Sequence, residues 1–289
     1  MIPSTPAASS DPASSWSGRG GIVQVVDLHA AEHSWEVSPG AAVHGYGFNG
    51  QVPGPVIEAT VGDRLLVQFS NDMDLPNALV WESPSMAATP MCTTGHHWVV
   101  PGGSHQSELT LTQPGAFLYR ATSQPHTPST RCGPFGVLLV RGPAEPVVDE
   151  ERILVVHHAE LNAAHQVETP HPAPVIGRPG PLLLLINGVR HASIEMRASS
   201  RERWRILSAA ADVRLRLSLP PGPVQIAGRD DCGRNRSDLL VPPASTLSAV
   251  GLEVQIGPFA RNQHVSLDAV LAGDGPVRQE QQLLTCRVI

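Results

Sequence analysis

The chain has 289 residues, of which 41% are hydrophobic and 16% charged. That balance excludes an intrinsically disordered chain and leaves room for two domains, each with its own core. The formal net charge is −6, every basic residue is Arg and Lys is absent. This argues against nucleic acid or an anionic membrane as partner.

Residues 1–20 are rich in Ser, Ala and Pro and read as a disordered lead-in. They hold neither a basic n-region nor an apolar h-region, so the expected compartment is the cytoplasm, or the periplasm or exterior if a leader was trimmed. The longest aliphatic run, ending in Leu182-Leu-Leu-Leu-Ile186, is too short to span a bilayer. From residue 21 onward, short segments are bounded by turn residues, and 28 Pro and 26 Gly suit many such turns. Strands are expected at Val56-Ile-Glu-Ala59, Arg64-Leu-Leu-Val-Gln-Phe69, Ser107-Glu-Leu-Thr-Leu-Thr112 and Val137-Leu-Leu-Val140. Further strands are expected at Arg152-Ile-Leu-Val-Val156, Arg203-Trp-Arg-Ile-Leu207, Val213 to Leu219 and Leu252-Glu-Val-Gln-Ile256. Arg214-Leu-Arg-Leu217 alternates cleanly, and no long helical periodicity occurs, so the fold class is all-β.

The sequence also repeats. Asn49-Gly50 leads to Ile57-Glu58 much as Asn187-Gly188 leads to Ile194-Glu195, and Val100-Pro-Gly-Gly-Ser104 is echoed by Val241-Pro-Pro-Ala-Ser245. An offset of about 140 residues is a domain-sized period. It divides the chain into 21–145 and 150–289, joined across Gly142-Pro-Ala-Glu-Pro-Val-Val-Asp149. Cys92 and Cys132 fall in the first part, Cys232 and Cys286 in the second. One disulfide per part is open, but reduced thiols are the default for a cytosolic chain.

Four segments resemble the multicopper oxidase family: Phe48-Asn-Gly-Gln-Val-Pro-Gly-Pro55, Val61-Gly-Asp-Arg-Leu-Leu-Val67, Pro114-Gly-Ala-Phe-Leu-Tyr119 and Phe135-Gly-Val-Leu-Leu-Val140. Leu185-Ile-Asn-Gly188 through Ala211, and Ser237 to Pro243, resemble its second cupredoxin domain. The resemblance implies two tandem cupredoxin-like Greek-key domains. It also implies copper ligands, which the family supplies from His-Trp-His-Gly and Tyr-His-Ser-His. The matching positions here read Val80, Glu82, Arg120 and Thr122. No His-Cys-His for a type 1 copper occurs, and the third cupredoxin domain is expected to be missing. The expectation is a degenerate, copper-free member.

In the family, the histidines at positions 82 and 120 share one copper, so Glu82 and Arg120 are expected to form an ion pair in its place. These two and His126, in the loop Gln124-Pro-His-Thr-Pro128, are the candidate catalytic or binding residues. The alternative is a relocated copper or zinc site from His96, His97, His126 and Cys132 or Cys92, since imidazole and thiolate suit either metal. Of His157-His158 on an alternating strand, one ring is expected inside and one outside. The arginines from Arg197 to Arg216 read as a solvated strand face. No cofactor is expected. The favoured function is binding of a small-molecule ligand or a protein partner, with a homo-oligomer allowed. The rival is a remodelled enzyme acting on a small metabolite.

Overall fold

The computed structural model describes residues 5–6, 21–82, 97–123, 134–143, 145, 147–160, 182–209, 214–218, 224–226, 238–241, 252–256, 264–272 and 280–289. All regular structure among them is strand, and none of them forms a helix long and apolar enough to cross a membrane. Apart from β1 (Thr5–Pro6), the first half supplies β2 (Val23–Ser38), β3 (Ala41–Phe48), β4 (Val56–Thr60) and β5 (Arg64–Asp72). It continues with β6 (Asn77–Glu82), β7 (Gly103–Thr110), β8 (Gly115–Ser123) and β9 (Phe135–Arg141). These make two four-stranded sheets, β3-β2-β5-β7 and β4-β9-β8-β6. Leu28, Leu65, Val67 and Phe69 of one meet Ile57, Phe117, Tyr119 and Leu138 of the other in a closed core.

The second half runs through β10 (Glu150–Glu160), β11 (Leu182–Ile186), β12 (Ala192–Met196), β13 (Glu202–Ser208) and β14 (Arg214–Ser218). It ends with β15 (Val224–Ile226), β16 (Asp238–Val241), β17 (Leu252–Ile256), β18 (His264–Ala272) and β19 (Glu280–Val288). Its pairings repeat those of the first half: β10 runs parallel to β13 as β2 does to β5, and β12 runs parallel to β19 as β4 does to β9. Ile57 and Ile194 take equivalent places, both buried, opposite Leu138 and Cys286. Thr5–Pro6 adds a short antiparallel strand on Glu150 and Glu151, so the expected disordered lead-in is ordered at that point.

The Asn-Gly repeat has a physical cause. Asn49 and Asn187 both sit at positive φ, 51° and 48°, where Asn is tolerated and most residues are not. Asn49 Oδ1 accepts the His29 amide at 2.7 Å while Nδ2 donates to the Asp27 carbonyl at 2.8 Å. Asn187 clamps β10 in the same way, with the Val155 amide at 2.6 Å and the Ile153 carbonyl at 2.7 Å. Each side chain closes a strand edge just where the neighbouring strand has not begun to pair.

Sandwiches usually keep one face of each sheet in water, but here several strands are buried on both. In β9, Leu138 and Val140 enter the first core, while Phe135, Val137 and Leu139 pack with Leu118 against Val155, Leu207 and Ala209 of the second half. That is why the sequence reads as a continuous apolar run there and not as an alternation. Gly188 docks at this junction with φ +83°, and a Cβ on it would lie 2.3 Å from the Val52 carbonyl oxygen. Trp35 Nε1 donates to the Gly188 carbonyl at 3.2 Å, and the Arg190 amide to the Val37 carbonyl at 2.7 Å.

Replacing Asn187 with Ala should cost roughly 2–4 kcal/mol, from two lost hydrogen bonds and an alanine forced to positive φ. Asn49→Ala should cost less, because its strand edge is solvated. Urea unfolding of the two variants measures the difference, and equal costs would refute the account.

Candidate functional site

The site begins with the pairing of β6 and β8. Leu79 and Trp81 point into the first core with Tyr119 and Ala121. The alternate residues Ala78, Val80 and Glu82, opposite Thr122, Arg120 and Leu118, therefore share the other face. Glu82 and Arg120 lie on the diagonal of this register, and the Arg120 Nη2 is in direct contact with Glu82 Oε1. Their side chains are 12% and 6% exposed, so the pair is largely withdrawn from water. Burial pulls the Arg120 guanidinium down to about 10, which leaves it charged at neutral pH. The second carboxylate oxygen, Glu82 Oε2, is buried without a hydrogen-bond partner among the described residues.

This face runs on into the junction between the halves. Phe135 pairs with Arg120 across β8 and β9, and its ring lies 4.9 Å from that of His157 on β10. Both His157 and His158 are buried, at 2% and 1% exposure, which corrects the expectation of one inside and one outside. The alternation holds, but from Leu154 to His158 both faces of β10 are buried, and Val155 on one of them packs into the junction with the first half. His157 Nε2 accepts the Gly188 amide at 3.2 Å. Burial, with a smaller contribution from His158, pushes its pKa down to about 3, so it is neutral.

Of the other sequence candidates, only His97 is among the described residues. His126, His96, Cys92 and Cys132 lie outside them. His97 is exposed and stacks on His105 with ring centroids 3.7 Å apart. Among the described residues no three His, Cys, Asp or Glu side chains gather as a metal-binding group. Cys286 is a buried free thiol, and the other three cysteines lie outside the described residues.

A charged cluster was missed by the sequence reading. Arg203 and Arg205 are buried at 3% and 4% exposure, which corrects their assignment to a solvated strand face. Arg205 Nε meets Glu151 at 2.7 Å, and Arg141 of β9 contacts the same carboxylate. Glu145, on the connection between the halves, accepts from both Arg203 and Arg205. Burial alone would raise the Glu151 carboxyl, but Arg205 and Arg141 outweigh it and hold it below its ordinary value. The available signal was the sequence Arg203-Trp-Arg-Ile-Leu207, in which arginines share a strand face with an interface leucine.

Residues 29–145 match the family model described as multicopper oxidase. The first half of the chain thus carries a multicopper oxidase domain, and the relatives it matches include laccases. It is 26% identical to Laccase-1 of Cryptococcus neoformans across 71% of this chain and 38% of that one. Against Laccase-24 of Oryza sativa it is 25% identical over 70% of this chain and 41% of the relative. The chain thus spans about two fifths of the length of these laccases. The laccase of Botrytis aclada superposes with a TM-score of 0.73 at 16% identity, covering 94% of this chain and 53% of that structure. The fold is therefore that of cupredoxin β-sandwich domains in tandem.

Copper is the cofactor of the family, and the four side chains at the positions that the resemblance equates with its ligands do not fit it. Val80 offers no donor, Arg120 presents a cation, Thr122 presents a neutral hydroxyl, and one Glu82 oxygen is held by Arg120. A carboxylate alone is a hard ligand in a family site built from imidazoles.

Two measurements test this electrostatic description. Arg120→Met alone should cost about 3–5 kcal/mol because Glu82 is left charged and buried, while adding Glu82→Gln should recover much of that loss. A double-mutant cycle with zero coupling would sink it. Separately, His157 is neutral in the fold but takes a proton when unfolded, near its ordinary value of 6.5. Stability should therefore fall as pH drops below 6.5, by up to ~1.4 kcal/mol per pH unit. Glu151, depressed in the fold, adds its own loss only below its unfolded value of 4.5. Between pH 5 and 6.5, His157→Leu should flatten the stability profile, and an unchanged slope would refute the assignment.

Proposed function

We propose that this multicopper oxidase-like protein works without the three-copper cluster. In this reading it binds a small-molecule ligand or a protein partner through the face that carries Glu82 and Arg120. The observation that carries it is the buried ion pair at two positions where the family places histidines. A cation and an anion fill the space a shared metal ion would take, and they neutralise each other there. Such a pair holds its strands in register, with the half-buried Val80 beside it. The reading needs no secretion for copper loading and is consistent with a cytosolic protein.

A second reading, a remodelled enzyme acting on a small metabolite, rests on Glu82 Oε2. A buried carboxylate oxygen without a hydrogen-bond partner among the described residues is a candidate proton acceptor once a substrate reaches it. Arg120 would then hold the carboxylate in place, and His126 would be tested beside it.

Copper loading followed by dialysis and elemental analysis separates these readings from oxidase chemistry. The expected result is well under one tightly bound copper per chain and no oxidation of phenolic substrates. A full copper complement with laccase activity would overturn the proposal. Restoring histidine at 80, 82, 120 and 122 should raise copper retention, because it returns the imidazole donors.

A further inference from the structure

We propose that Arg141, Arg203 and Arg205 form an oxyanion-binding site, which the inter-half connection fills with Glu145 as an internal ligand. The inference does not involve the Glu82–Arg120 face. Glu145 Oε2 accepts from Arg203 Nη1 at 2.9 Å and Arg205 Nη2 at 2.8 Å, and lies 3.2 Å from Arg141 Nη1. One oxygen thus draws on three guanidinium groups from two strands, β9 and β13. The other, Oε1, accepts the Gly142 amide at 3.2 Å. Convergent guanidinium forks of this kind match the oxygens of carboxylate and phosphate groups.

The occupant differs in kind from its hosts. Arg203 and Arg205 are 3% and 4% exposed, whereas the Glu145 side chain is 23% exposed. Glu145 sits not on a strand but on the connection, in Pro143-Ala-Glu-Pro146, with Val147 beyond it 87% exposed. The arginines are fixed by the sheet and by Glu151 and Glu58, the latter 2.7 Å from Arg141 Nε. With Glu145 in place, three arginines face three carboxylates. Removing it takes one negative charge from the site and leaves the guanidinium N–H groups that it accepted from without that acceptor. A small tetrahedral oxyanion of the phosphate type has the charge and the acceptor oxygens to replace it. Because the internal carboxylate is tethered, it competes at an effective concentration in the millimolar range. The wild-type protein should therefore take phosphate weakly, and only by displacing its own connection.

The test uses the full chain with inorganic phosphate as the probe. In Glu145→Ala, phosphate should raise the Tm saturably and bind at least about tenfold more tightly than in the wild type, since the tethered competitor is gone. Chloride at matched ionic strength should not reproduce the effect, and adding Arg203→Met should abolish it. Should Glu145→Ala fail to fold, Glu145→Gln keeps the side-chain length while removing the charge, and should show the same gain. Equal responses of wild type and variant, a response matched by chloride, or no response in either variant would overturn the proposal.

Discussion

The structure depends on a layer of strands buried on both faces. β9 gives Leu138 and Val140 to one core and Val137 and Leu139 to the junction, while β13 gives Leu207 to the same junction from the other side. Apolar burial is worth roughly 25 cal/mol per Å², so a shared wall of this kind stabilises both halves at once. It also removes solvent from positions that a single sandwich would leave wet. The neutral His157, the embedded Arg203 and Arg205, and the withdrawn Glu82–Arg120 pair all follow from that loss of water.

Those buried charges each meet an opposite charge, as desolvation requires. At one place Glu82 meets Arg120. Nearer the connection, Arg141, Arg203 and Arg205 form a network with Glu58, Glu145 and Glu151. Within the second half, Arg152 meets Glu202 at 2.7 Å, and Trp204 Nε1 donates to the same carboxylate at 2.8 Å. None of these groups contributes as surface ion pairs do. Each exchanges the hydration of its members for fixed partners, and so favours one arrangement of strands over its alternatives.

Much of this was legible from sequence where the physical cause is local. The Asn-Gly repeat exposed the tandem organisation because an Asn at positive φ followed by Gly is a demand of one turn. The apposition of Glu82 and Arg120 was legible only through the family resemblance, since no local pattern links residues 38 positions apart. Val23–Ser38 and Ala41–Phe48 were not foreseen as strands, because their mix of His, Glu, Ala and Gly lacks a clear alternation. The burial of His158, Arg203 and Arg205 was hidden for a different reason. Period-two reasoning assumes that one face of a strand meets water, and packing between halves cancels that assumption.

The paired asparagines also bear on how the protein ages. Asn followed by Gly is the dipeptide most open to loss of the side-chain amide, because the glycine nitrogen can reach the side-chain carbonyl unhindered. At Asn49 and Asn187 the amide nitrogen is the group that donates to a neighbouring strand's carbonyl. Hydrolysis would set a carboxylate oxygen against that carbonyl and turn an attraction into a repulsion. The clamp that registers each half is thus also its chemical clock. The two differ in setting, Asn49 lying open to water and Asn187 half-buried at the junction.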